Sequence, residues 1–278
     1  MKRDIDIIIP LFNKEKYIIE LLNQLEEVWS LFNKVIIVDD SSTDASVHLV
    51  KSFIEKHKGA RSKFILSQEK INRGPEATRK KGVMLSKAEW FMLVDADDII
   101  NISGFKYIIE NIDKLDSRDI LLLYGNTKPV KSEEYKVNKT EVGEKKSTLK
   151  VKYIKNHFQL LRHNILPSMS GLFLKREAFT LMCNNSPWGE DLIFYFDLLA
   201  MTSFIHVDKE LALYRVDIPV SRGNLGGSLK KRLTFILAIW KMLFKTKHKS
   251  YSILVSSIVI RAFYSVRVLI SYIYKRFR

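Results

Sequence analysis

Four short apolar runs punctuate the first hundred residues: Asp4 to Pro10 around IDIIIP, KVIIVDD at 34–40, KFILS at 63–67 and WFMLVD at 90–95. Between them, apolar residues recur every three or four positions. This alternation constrains the fold more than any other property of the chain. Runs that are apolar at consecutive positions suit strands buried on both faces, and the spacers suit amphipathic helices. Strand and helix in strict alternation imply a mostly parallel sheet with helices on both sides.

The first spacer predicts a helix over Lys14–Phe32, with Ile18, Leu21, Leu22, Leu25, Val28, Trp29 and Phe32 on one stripe. The second, 41–56, opens with SSTD, residue types that cap helix N-termini. A third helix is expected over 75–87 with Pro75 in its first turn, and a fourth near Ser103–Leu115. DILLLYGN at 119–126 reads as a fifth strand. The polar stretch 126–150 reads as a mobile loop or solvated hairpin. Beyond it we expect an amphipathic helix from Tyr153 to about His163, a strand at Gly171–Lys175 and a helix over about Asp191–Ala200.

In sheets of this type ligands bind beyond the carboxyl ends of the strands. Asp39, Asp40, Asp95, Asp97 and Asp98 all fall there. Carboxylates as close as those of VDADD repel unless something positive lies among them, and a divalent cation shared with a diphosphate is one way to supply it. Helix capping by Asp97 and Asp98 is the plainer alternative, although three acids exceed what one helix terminus needs. NRGPEATRKKG at 72–82 is by itself a turn followed by a basic helix face. PWGED at 187–191 begins an aromatic-rich helix, so Glu190 and Asp191 fit either an acidic first turn or a general base beside an apolar wall.

The net charge of +15 is unevenly placed: 13 of the 46 lysines and arginines, and none of the 31 acids, follow Asp217. A near-neutral body argues against a nucleic-acid-binding surface, which would interleave basic and aromatic residues throughout. The tail, LKKRLTFILAIWKMLFK at 229–245 and SYSILVSSIVIRAFYSVRVLISYIY at 250–274, is apolar and basic. Its longest uncharged run, Ser250–Ile260, falls short of the roughly 18 residues a spanning helix needs. Helices lying on an anionic membrane surface fit better, with packing on the body or on a second subunit of a homo-oligomer as the other reading. Cys183 stands alone, so no internal disulfide forms. The N-terminus lacks the features of a signal peptide, which points to the cytoplasm. The six histidines show no metal spacing.

Taken in order, IIIPLFN (7–13), VDDSSTD (38–44), NRGPEATRKKG (72–82), VDADD (94–98), SGLFLKREAF (170–179), GED (189–191) and YRVDIPVS (214–221) resemble glycosyltransferase family two, the inverting nucleotide-sugar transferases. The resemblance covers about residues 4–222. It implies the A-type glycosyltransferase fold, α/β with a Rossmann-like mostly parallel sheet flanked by helices, here carrying a C-terminal amphipathic helical tail. A catalytic domain over 1–225 is expected, its nucleotide-binding half about 1–126 and its acceptor half about 150–225, with the membrane-associating tail at 226–278.

By the same resemblance Pro10, Phe12, Asp39 and Ser41 line a nucleoside pocket, and Arg79 faces the nucleotide or its diphosphate. Asp95 and Ala96 lie by the sugar nucleotide, and Asp97 ligates Mn2+ or Mg2+ with Asp98 as support or cap. Asp191 serves as general base, Glu190 orients the acceptor or the base, and Tyr214 and Arg215 belong to a late element near the diphosphate or the closing loop, a buried tyrosine with a surface arginine being the plainer alternative. The expected partners are a nucleotide-diphosphate sugar donor, a saccharide or lipid-linked saccharide acceptor and an anionic membrane, with no nucleic acid. Phe12 stands where the family commonly has tyrosine, Ser41 where glycine is frequent, and Lys80 where asparagine is common. A sugar-nucleotide nucleotidyltransferase would share the sheet and metal, but would show a glycine-rich phosphate loop after the first strand, and LFNKEKY has no glycine. A catalytically silent lipid-binding relative is the remaining alternative.

Overall fold

A computed structural model describes residues 4–57, 59–115, 120–137, 150–155, 169–181, 195, 198–199 and 202–218. In chain order the elements are β1 (Ile5–Leu11), α1 (Ile18–Glu26), β2 (Lys34–Asp39), α2 (Ser46–Lys56), the single turn α3 (Ala60–Lys63), β3 (Phe64–Gln68) and α4 (Pro75–Leu85). They continue with β4 (Trp90–Leu93), β5 (Ile99–Ile100), α5 (Ile102–Leu115), β6 (Ile120–Val130), α6 (Ser132–Val137), β7 (Val151–Ile154), β8 (Leu172–Lys175) and β9 (Ser203–Arg215). The strands form one sheet in the order β3-β2-β1-β4-β8-β6-β9-β5, with β7 paired to β9.

The expected parallel arrangement holds for β3-β2-β1-β4, in register Ile8↔Ile36 and Ile8↔Leu93 across the centre. Past β4 the sheet turns antiparallel, since β8 runs against both β4 and β6, and β5 runs against β9. The consecutive isoleucines of β1 are explained by cover on both faces. Ile5, Ile7 and Ile9 join the core with α1, α2 and α5 residues such as Leu22, Val50 and Phe105, while Ile8 meets α4. All are fully buried, each contributing about 1.5–3 kcal/mol by transfer from water. Asp6 interrupts the run without cost to pairing, because its carboxylate accepts from the Lys34 amide (3.0 Å) and the Ser86 hydroxyl (2.7 Å). Burial nevertheless pushes its pKa up.

Several boundaries differ from expectation. The first helix is α1 plus a 3-10 turn at Trp29–Leu31, because residues 14–17 form a turn tied to the β2–α2 loop. Residues 126–130 continue β6 and 132–137 form α6, so part of the anticipated loop is ordered. Tyr153 and Ile154, expected to open a helix, end β7. β9 was not anticipated from sequence, since Asp208, Lys209 and Glu210 break its apolar pattern.

The chain divides into two compact units, residues 1–153, 167–182 and 204–217 in one, and 154–166, 183–203 and 218–278 in the other. In the second, the described Tyr195 and Leu198 are buried, and Leu198 accepts the Thr202 amide. The expected 191–200 helix lies mostly outside the described residues, as do the greater part of the 153–163 helix and the whole 226–278 tail. Among the described residues no helix is long and apolar enough to cross a membrane.

Gly82 sets how closely α4 lies on the sheet, because a Cβ there would overlap Ile8 Cγ2 and approach Val38. We therefore expect Gly82→Val to lower unfolding free energy by roughly 1–3 kcal/mol in urea titrations, the usual cost of overpacking. Gly82→Ala should cost less.

Candidate active site

Past the last backbone pairs, Leu11↔Asp39 and Ile8↔Leu93, side chains join the carboxyl ends of β1, β2 and β4. After β1 the chain turns at Asn13, whose φ of 51° is left-handed. The turn is held from the β2–α2 loop: Ser42 Oγ accepts the Asn13 amide (3.0 Å), Ser46 Oγ the Lys14 amide (2.8 Å) and Asp44 the Glu15 amide (3.0 Å). The Asn13 and Glu15 side chains accept in return from the amides of Thr43 and Ala45. The hydroxyls of SSTD were expected to cap α2. Its N-terminus instead has no side-chain bond from its N-cap residue, and Asp44 serves the Ser46 amide.

Asp39 and Asp40, adjacent and both buried, do different things. Asp39 accepts the Ser42 amide on both oxygens (3.3 and 3.2 Å). Asp40 accepts the amides of Arg73 (2.8 Å) and Gly74 (2.7 Å), and its carbonyl takes the Asn72 side chain. Gly74 sits at φ 89°, ψ 166°, a region open essentially to glycine alone. Asp40 thus fixes the loop that launches α4, with Pro75 in the first turn as expected. Ser41, next in the chain after Asp40, has φ 66°, which explains physically why glycine would be at ease there.

α4 carries Arg79 to the aspartate cluster. Only 8% exposed, it donates from Nη2 to Asp95 Oδ1 at 2.6 Å. Asp97 Oδ2 takes the Lys14 ammonium at 2.5 Å. Asp98 is buried and accepts from Ser170 Oγ at 2.5 Å, while that same oxygen accepts the Asp95 amide (2.9 Å). Arg215 reaches the turn from β9, donating to the Asp97 carbonyl and to Glu20 Oε2 (2.5 Å), with its guanidinium 4.8 Å from the Tyr17 ring. The mutual repulsion of the three aspartates is relieved by two cations and by a proton. Burial first, then the charge of Asp95, raises the Asp98 pKa to about 8.

The structure therefore gathers Asp39, Arg79, Asp95, Ala96, Asp97 and Arg215 on or beside one sheet end, with Ala96 buried and Pro10 at the last pairs of β1. Phe12 is exposed, open to stacking. On β9 Tyr214 is exposed and Arg215 buried, the reverse of the usual buried tyrosine with a surface arginine. Glu190 and Asp191 lie outside the described residues. Lys14 and Ser170 carry roles that sequence reasoning missed. Lys14 directly follows IIIPLFN and Ser170 opens SGLFLKREAF, but neither pattern says which carboxylate it meets.

Among the described residues no three His, Cys, Asp or Glu side chains are arranged to hold a metal ion. The hard oxygens of Asp97 and Asp95 nevertheless suit Mg2+ or Mn2+, which commonly bind through one or two carboxylates and complete their shell with substrate phosphates. The donor set fits such a shared ion rather than a resident one.

Residues 6–179 match the family described as Glycosyl transferase family 2. Over 133 residues, 44% of this chain and 39% of the relative, the sequence is 27% identical to a dolichyl-phosphate beta-glucosyltransferase of Dictyostelium discoideum. Over 119 residues, 42% of this chain and 20% of the relative, it is 34% identical to the poly(ribitol-phosphate) beta-N-acetylglucosaminyltransferase TarS of Staphylococcus aureus. The matches thus span well under half of those relatives' lengths. Among solved structures, S. aureus TarS 1-349 in complex with UDP-GlcNAc superposes with a TM-score of 0.64 at 22% identity, covering 87% of this chain and 66% of that one. The Pyrobaculum calidifontis mannosyltransferase PcManGT, in complex with GDP-Man and Mn2+, gives 0.60 at 15% identity, covering 98% and 75%. These structural likenesses carry the A-type fold.

The Asp98 proton has a measurable consequence. The fold keeps it to about pH 8, whereas the unfolded chain releases it near 3.8. Its contribution to stability is then whole below the unfolded value and drains away as pH climbs through about 8. In metal-free thermal melts from pH 5 to 9 we expect the Tm of the natural chain to fall relative to that of Asp98→Asn, whose amide oxygen can still accept from Ser170. Parallel curves would contradict this.

Proposed function

The chain belongs to glycosyl transferase family 2, and we propose that it transfers a sugar from a nucleoside-diphosphate donor to an acceptor hydroxyl with inversion. The observation that carries this is the turn Asp95-Ala96-Asp97 at the carboxyl end of β4, across β1 from Asp39 at the same end of β2. A ligand with a polar base, a diphosphate and a sugar needs acceptors for the base, cations for the phosphates and acids near the anomeric carbon. This sheet end offers each in that span.

In this reading Pro10, exposed Phe12, Asp39 and Ser41 receive the nucleoside, with Asp39 accepting from the base and Phe12 stacking on it. Asp95 and Ala96 lie along the ribose and sugar. Arg79, by its pairing with Asp95, fixes that carboxylate and lends positive charge toward the diphosphate. Asp97 would hold Mn2+ or Mg2+, which when bound offsets charge developing on the departing diphosphate. Arg215 fixes the Asp97 backbone, and Tyr214 lies beside it on the exposed face. Asp191 removes the proton from the acceptor oxygen as that oxygen bonds to the anomeric carbon and the bond to the diphosphate breaks. Glu190 orients the acceptor. Attack opposite the leaving group inverts the centre.

The family match over 6–179 favours transfer over the nucleotidyltransferase and nucleic-acid readings. Two matched relatives are poly(ribitol-phosphate) glycosyltransferases, and a third is an amylovoran biosynthesis glycosyltransferase. They support a polymer or lipid-linked saccharide acceptor in surface-polysaccharide assembly for this chain. The basic, apolar residues 229–274 would bring the site to a cytoplasmic membrane face.

Incubation with labelled UDP- and GDP-sugars and Mn2+ should show slow donor hydrolysis or transfer. Asp191→Asn should reduce turnover by roughly 10²–10⁴-fold, the usual contribution of a positioned base, while leaving donor binding within a factor of a few. Undiminished turnover would remove Asp191 from the mechanism. Separately, deletion of 229–278 should abolish sedimentation with anionic liposomes, and retention of binding would exclude the tail as the anchor.

A further inference from the structure

Lys14 and Asp97 form an ion pair at 2.5 Å, with side chains 18% and 16% exposed. Both ends of the pair are rooted. The Lys14 amide is held by Ser46 Oγ at 2.8 Å, its neighbours Asn13 and Glu15 are bonded to the Ser42–Ala45 segment, and the Asp97 carbonyl accepts from Arg215. The mobile link between two fixed backbones is the four-carbon lysine stem. Arg79 neutralises Asp95 differently, through a guanidinium only 9% exposed in its side chain and carried on a helix packed against the sheet.

A divalent cation approaching Asp97 Oδ2 competes with the ammonium already 2.5 Å from it. At close range in a partly buried setting the two cations repel each other with little screening by water. We propose that Lys14 is an exchangeable counter-ion: it occupies Asp97 in the donor-free protein, suppresses binding of free metal, and passes to the donor diphosphate when metal and nucleotide arrive together. Lysine suits this task, being a point charge on a flexible stem, whereas arginine is a fixed planar fork. The proposal extends the reading of Asp97 as the carboxylate that meets the cation, and rests on it.

The test is Mn2+ binding to the full chain without nucleotide, read from the electron paramagnetic resonance signal of free Mn2+. Lys14→Met and Lys14→Gln should bind Mn2+ about tenfold more tightly than the natural chain, a change of about 1.4 kcal/mol. Lys14→Arg, which keeps the charge, should not. Adding UDP or GDP should tighten Mn2+ binding more in the natural chain than in Lys14→Met. Equal metal affinity for the natural chain and both neutral variants overturns the proposal. Asp97→Asn separates the two levels. If it loses Mn2+ while the Lys14 variants match the natural chain, the counter-ion role alone falls; if it binds Mn2+ as the natural chain does, the reading of Asp97 falls and this proposal with it.

Discussion

Three carboxylates placed on one tight turn must be neutralised before the turn can exist, and much of the architecture at this end of the sheet follows from that requirement. Asp95, Asp97 and Asp98 cannot separate, because Asp98 donates its amide to the Asp95 carbonyl. Each is therefore met by a different device. Arg79 comes from α4, Lys14 from the turn after β1, and Ser170 from the 3-10 turn before β8. Burial leaves Asp98 protonated up to about pH 8, which removes the third charge. Taking away one partner of such a group exposes the full cost of a buried, unpaired carboxylate.

These partners arrive correctly only because the elements carrying them are fixed elsewhere. Asp40 ties down residues 72–74, which orient α4, and Gly82 lets α4 settle on Ile8. The loop at 42–46 gives its side chains to residues 13–15 and so aims Lys14. Arg215, on a strand far along the chain, joins the turn to α1 through Glu20. Charge neutralisation at the site and packing of the sheet are thus one problem. A change in either is felt in the other, which is why positions remote from the aspartates are expected to alter their state.

Period and punctuation made the first half of the chain readable. The consecutive isoleucines of β1 and the valines and isoleucines of β2 declared strands covered on both faces, and Pro75 marked the start of α4. The same rules failed where polar residues serve a tertiary purpose. In SSTD only Asp44 meets the start of α2, while Ser42 and Asp44 also hold the turn after β1, and DKE inside β9 hid a strand whose flanks are buried. Strand direction was equally out of reach beyond β4. A short apolar run such as Leu172–Lys175 looks alike whether its neighbours run with it or against it.

The alternating architecture, the family and the crowding of acids after Val94 are legible in the order of the residues, because these depend on spacing and residue type along the chain. The folded arrangement was needed to see which cation meets which acid, that Asp40 is a scaffold where its neighbour Asp39 holds the next loop, and that Arg215 rather than Tyr214 turns inward. The ion pairs among these join side chains 16 to 195 residues apart, and no local pattern encodes a contact whose partner is set by how strands and helices come to lie together.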